Sequence, residues 1–163
     1  QPKQVNFVDL AQLTTVTQKF GTASLDCSGS NTDGITVDSS ADFGFGTGDF
    51  TIEFWLYRNS NINNTVLLDT RDTSAADSAI VIFGNGSDSI NVNIGSNIEI
   101  NGGIAVPLST WTHIAVTREG TDLRLFIEGT QDGATATGVG DDLGTSRPLH
   151  FGDSYAETAS GDA

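Results

Sequence analysis

Between Asp49 and Arg58 the chain reads Phe50-Thr51-Ile52-Glu53-Phe54-Trp55-Leu56-Tyr57. Successive side chains of an extended strand point to opposite faces, so Phe50, Ile52, Phe54 and Leu56 share one side, and Thr51, Glu53, Trp55 and Tyr57 share the other. A helix would need apolar residues three and four positions apart, a spacing this run lacks. The segment therefore predicts a long central strand with a wholly apolar face turned to a core.

The same period recurs along the chain. Leu25 with Cys27, and Ile35 with Val37, are flanked by Gly, Ser, Asn and Asp, which read as two short strands between turns. Ala79 to Phe83 is apolar on both faces, and Asn85-Gly86 is a hairpin signal that pairs it with Ile90-Asn91-Val92-Asn93-Ile94. Trp111 to Arg118 turns through Glu119-Gly120-Thr121-Asp122 into Leu123-Arg124-Leu125-Phe126-Ile127, with Leu123, Leu125 and Ile127 on one face. Residues 129–147 read as Gly-, Thr- and Asp-rich connection, and Pro148 to Gly152 as the last strand-like segment. Many short strands, regular turns and no helical stripe predict an all-β fold, a two-sheet antiparallel jelly-roll sandwich.

Composition narrows the partners. Seven basic against twenty-one acidic residues give a formal charge of −14, which disfavours nucleic-acid backbones and anionic membrane surfaces. The acidity has two readings: solubility in a salty medium, and spare carboxylates for divalent cations. The longest apolar run, Ala79 to Phe83, is too short to span a bilayer, so no membrane insertion is expected. The single cysteine, Cys27, has no internal disulfide partner and reads as a small buried residue. Methionine is absent, and Gln1 is expected not to be the translational start but to follow processing or excision from a longer product.

Three segments carry a resemblance to the laminin-G-like, concanavalin A-like lectin/glucanase superfamily: Phe20-Gly21-Thr22-Ala23-Ser24-Leu25, Phe45 to Trp55, and Trp111 to Arg118 with Leu123 to Gly129. The resemblance implies residues 20–153 as the jelly roll, 1–19 as an N-terminal arm or edge strand, and 154–163 as a polar tail. It also implies binding rather than catalysis, in secreted adhesins, bacterial surface proteins or phage virion proteins, hence an extracellular or virion-surface location. Many relatives carry Ca2+ at the sandwich rim. Asp77 stands where such a ligand often stands, with Asp69 and Asp153 as companions; the competing reading is that these aspartates bond their own turns.

Such domains close with an amphipathic strand after the position of Gly152, and residues 154–163 lack one. Either Val5 to Leu10 or a neighbouring subunit is expected to fill that edge, because an open edge invites pairing.

Catalysis finds no support in the carboxylates. Retaining glycoside hydrolysis needs two carboxyl groups about 5–5.5 Å apart. Two positions after Glu53 stands Trp55, and two after Glu99 stands Asn101. His113 and His150 are the only histidines, and no nucleophile motif accompanies them; His113 reads as a packing or hydrogen-bonding residue.

Two roles remain. In the first, the chain is a structural or adhesion module whose partners are other virion or surface-protein subunits, with capsid decoration or a tail fibre as its setting. In the second, it is a calcium-dependent lectin-like module that binds glycans. Glycan candidates are the polar loop residues Asn61, Asn63, Asn64, Asp72 and Asp77, with Tyr155 as the aromatic. Trp55, Tyr57 and Trp111 lie on long strands, where aromatics are expected to serve core or inter-sheet packing.

Overall fold

The computed structural model describes residues 3–27, 32–72, 78–95 and 97–152. Among them are thirteen strands: β1 (Val5–Val8), β2 (Gln12–Thr14), β3 (Ser24–Asp26), β4 (Gly34–Ser40), β5 (Phe50–Tyr57), β6 (Val66–Asp69), β7 (Ile80–Gly84), β8 (Ile90–Ile94), β9 (Asn97–Asn101), β10 (Trp111–Glu119), β11 (Asp122–Ile127), β12 (Thr130–Ala136) and β13 (Arg147–Phe151). The one helical element among the described residues is a single 3-10 turn, Ala41–Phe43, capped by the Ser40 hydroxyl on the Asp42 N–H. No helix among the described residues is long and apolar enough to cross a membrane.

The strands form a seven-stranded sheet, ordered β1-β4-β13-β6-β7-β8-β9, and a four-stranded sheet, ordered β12-β11-β10-β5; β2 and β3 make a separate two-stranded ribbon. Neighbours within each sheet run antiparallel. This is the expected sandwich.

The alternation of β5 sets its orientation. Phe50, Ile52, Phe54 and Leu56 pack into the core with Ile80, Ile82, Val92, Ile114, Val116 and Leu125, and Phe54 meets Phe151 of β13 edge to face at 6.4 Å. Ile114, Val116, Leu123 and Leu125 are fully buried, whereas Ile52, Phe54 and Leu56 are half-buried, because among the described residues β5 is the last strand of its sheet.

The interior is not wholly apolar. Arg118 stands in the buried row of β10, 2% exposed, with its guanidinium over the Phe50 ring at 5.0 Å. It donates to the carbonyls of Gly46, Gly48 and Asp141 and so fixes the loop that leads into β5. Burial lowers its pKa, and the carbonyls, with Asp49, Asp141 and Asp142 nearby, answer the charge that burial leaves.

Two expectations shift in detail. The hairpin at Asn85-Gly86 forms, but the Asn85 N–H donates to the Ser89 carbonyl at 2.9 Å, so the loop is longer than a two-residue turn, with Asp88 at φ 58°. Within 129–147, read as connection, Thr130–Ala136 forms β12. Its side chains are small or polar apart from the turn at Gly133 (φ 75°), so no bulky alternation marks it.

Candidate functional site

The outer face of the four-stranded sheet carries what the inner face does not use. Residues directly opposite on antiparallel strands share a face, and the register sets Trp111 opposite Tyr57 and His113 opposite Trp55. The Tyr57 and Trp111 rings lie 5.4 Å apart, tilted by 55°, and Trp55 and His113 lie 5.1 Å apart. The sequence expectation that Trp55, Tyr57 and Trp111 pack the core or the inter-sheet space is therefore corrected. They form a half-buried aromatic row on the outside of the sandwich, and the signal for it is the period-two alternation that sends Phe50, Ile52, Phe54 and Leu56 inward.

The row is unequally accessible. Lys19 places its ammonium 3.8 Å from the Trp55 ring centre, and Phe20 packs edge-on to Trp55 at 5.9 Å. His113 Nε2 lies 3.3 Å from a Glu53 carboxylate oxygen, and the His113 backbone N–H donates to the Glu128 carboxylate. Trp111 instead opens onto a groove with Ile104, Pro107, Thr110, Glu128 and Thr130 along its walls.

Buried charges hold the wall of that groove. Asp132, 3% exposed, accepts the backbone N–H groups of Gly103 at 2.9 Å and Ile104 at 3.1 Å. A Cβ at Gly102 would meet the Ile90 carbonyl at 2.3 Å and an Asp132 oxygen at 2.6 Å, so only glycine lets the loop pass there. At the other end of the loop, Arg58 donates to the Val106 and Ser60 carbonyls and pairs with Asp88 at 3.2 Å. Asp88 in turn accepts the Ile62 N–H through its carboxylate and the Val106 N–H through its carbonyl. Loops 59–64, 85–89 and 102–110 are thus tied together at one rim.

This places the predicted residues. Asn61, Asn63 and Asn64 are exposed on that rim; the Asn61 side-chain carbonyl accepts the Asn63 N–H at 2.7 Å, and Asn64 adopts φ 57°. Asp72 lies beyond the opposite end of β6, paired with Arg147 at 3.2 Å beside His150, so the fold does not bring it to the asparagines. Asp69 is fully buried, and Arg71 donates to both of its carboxylate oxygens from its side chain and to one from its backbone N–H. A carboxylate held by a guanidinium in this way does not fit a calcium ligand, since the arginine would sit against the cation. Asp77, Asp153 and Tyr155 lie outside the described residues.

The profile of the concanavalin A-like lectin/glucanases superfamily matches residues 29–163. The chain belongs to that superfamily. Comparison with curated proteins gives no match. Among solved structures, domain 4 of AbnA, a GH43 extracellular arabinanase from Geobacillus stearothermophilus in complex with arabinotriose, superposes with a TM-score of 0.68 at 13% identity, over 94% of this chain and 74% of that one. Alginate lyase AlgAT5 of polysaccharide lyase family 7 superposes with a TM-score of 0.50 at 12% identity, over 81% of this chain and 63% of that one. At such identities the likeness concerns the fold of this superfamily member.

Proposed function

We propose that this superfamily member is a non-catalytic glycan-binding module of an extracellular or virion-surface assembly, and that it holds sugar at the rim beside Trp111. The observation that carries the reading is Trp111, paired with Tyr57, opening onto a groove whose wall is fixed by Asp132 and Arg58. A sugar ring offers C–H groups to an aromatic face and hydroxyls to polar neighbours. Here Trp111 and Tyr57 supply the first, and Glu128, Thr110 and the rim asparagines Asn61, Asn63 and Asn64 supply hydrogen-bonding groups. That a structural neighbour was determined with arabinotriose supports a search that begins with arabino-oligosaccharides.

The test is a glycan array followed by calorimetry on the best hit. Trp111→Ala should weaken binding about tenfold or more, as loss of a central aromatic anchor does, with the circular dichroism spectrum unchanged. An array without hits, or binding indifferent to Trp111→Ala, would sink the proposal. Repeating the titration with chelator separates the alternative, a calcium-dependent lectin-like module using Asp77 and Asp153: that reading requires affinity to fall when calcium is withdrawn.

A further inference from the structure

Among the described residues Glu128 is the one charged side chain along the walls of the Trp111 groove. It opens the tight turn between β11 and β12, where Ile127 pairs with Thr130. Glu128 has φ 51° and Gly129 φ 76°, and a turn left-handed at both central residues favours Asn, Asp or Gly at the first. Nothing in the turn itself calls for a glutamate. What the longer side chain adds is reach. The Glu128 N–H donates to the His113 carbonyl at 2.9 Å, and one carboxylate oxygen accepts the His113 N–H. The carboxylate is thereby held where the β10–β11 ladder ends, beside His113 and two residues along β10 from Trp111. Its other oxygen makes no hydrogen bond among the described residues.

The cations lie elsewhere. No basic side chain lines the groove. Of the seven in the chain, Lys3, Arg58, Arg71, Arg124 and Arg147 each pair with an aspartate, and Arg118 is buried on backbone carbonyls. Lys19 lies over Trp55 rather than Trp111. On the outer face of the four-stranded sheet the register sets Glu53, Glu119, Asp122 and Glu128 around Arg124, which is held by Glu119 and Asp122. Arg124 stands opposite Thr117, and Thr117 is roughly 20 Å along β10 from Trp111 at the rise of an extended strand. A ligand anion at Trp111 would therefore meet a carboxylate and no cation.

We infer that the groove selects neutral oligosaccharides and rejects uronate-containing and sulfated ones, with Glu128 setting the choice. This rests on the glycan reading of the groove and adds the ligand class to it. An ionised carboxylate only accepts hydrogen bonds. A sugar hydroxyl donates to the outer Glu128 oxygen while its ring stacks on Trp111. A sugar carboxylate or sulfate has no proton to give and sets like charge against like.

An array of neutral, uronate-containing and sulfated glycans tests this, followed by calorimetry on the best neutral ligand and on the acidic glycan nearest to it in structure. At low salt the acidic ligand should bind at least about tenfold more weakly. The gap should narrow at about 1 M salt, where charges are screened beyond about 3 Å. Glu128→Gln keeps an acceptor oxygen and removes the charge, and should narrow the gap at least about threefold. Should that variant perturb the circular dichroism spectrum, the salt series on the unmodified protein carries the test. An acidic ligand within tenfold of the neutral one, or a gap indifferent to salt or to a folded Glu128→Gln variant, would overturn the inference and leave glycan binding standing. An acidic hit lost on Lys19→Ala would do the same, and would move recognition to Trp55. An array without hits, or hits indifferent to Trp111→Ala, would instead remove the glycan reading, and the inference with it.

Discussion

Arg58 and Asp88, thirty positions apart in sequence, form an ion pair of 3.2 Å at the end of β5, and between them they bond to loops 59–64 and 102–110. The Arg58 side chain is 8% exposed and that of Asp88 27%. The pair fixes the rim from beneath while Trp111 and the asparagines face outward.

Removing one partner therefore acts on stability and on the site together. Arg58→Ala leaves the Val106 and Ser60 carbonyls without their donor and the Asp88 carboxylate without its cation, and breaking such a pair costs about 3 kcal/mol. Urea denaturation should show that loss, with glycan affinity falling in parallel because the loop beside Trp111 is no longer held. Asp132→Asn should give a smaller loss, since an amide oxygen can still accept one of the two loop N–H groups.

His150 gives the fold a pH dependence. Its ring is buried between β4 and β6, and burial holds its pKa below the ordinary histidine value of 6.5, with Asp69 pulling the other way less strongly. A histidine with a depressed folded pKa is harder to protonate folded than unfolded. Its contribution is thus complete above pH 6.5 and is lost as pH falls from there towards the folded pKa. Thermal melts from pH 7.5 to about 5 should show a decline that His150→Gln reduces. An identical decline in that variant would assign the effect to the carboxylates instead.

Cys27 is half-buried, with its thiol raised from 9.0 to about 11 by burial first and by Asp26 and Asp33 next. Only the thiolate attacks alkylating agents. Two pH units correspond to about a hundredfold less thiolate, so iodoacetamide at pH 8 should modify the folded protein about a hundredfold more slowly than the urea-unfolded chain. Equal rates would show that the thiol is not shielded. Gly152 packs so closely that an added Cβ would lie 2.7 Å from the Cys27 sulfur, and Gly152→Ala should therefore destabilise the fold and speed the reaction.

How far the sequence reached is clearest at β5 and β10. Alternation of bulky and polar residues over Phe50–Tyr57 is a local property, and it was enough to specify an extended strand, a buried face and, with the turn residues between the other strands, a sandwich. The same alternation already turned Trp55 and Tyr57 away from the core, so the aromatic row was legible, although the general habit of aromatics to fill cores pointed elsewhere. The small side chains of β12 gave the pattern nothing to act on, and its place at the edge of the four-stranded sheet came from pairing with β11.

The site belonged to the tertiary structure. Nothing local in Arg58, Asp88 or Asp132 distinguishes them from surface charges; their roles come from partners 26 to 48 positions away that meet only when the sheets stack. The same stacking put Asn61, Asn63 and Asn64 on the rim that loop 102–110 shares, sent Asp72 to the far end of β6, and gave Asp69 to Arg71. Periodicity, which depends on the direction of neighbouring side chains along one strand, was fixed by the sequence by itself. Which loops share a rim depends on strand order and register, and these are decided by the long-range burial of apolar faces in the folded chain.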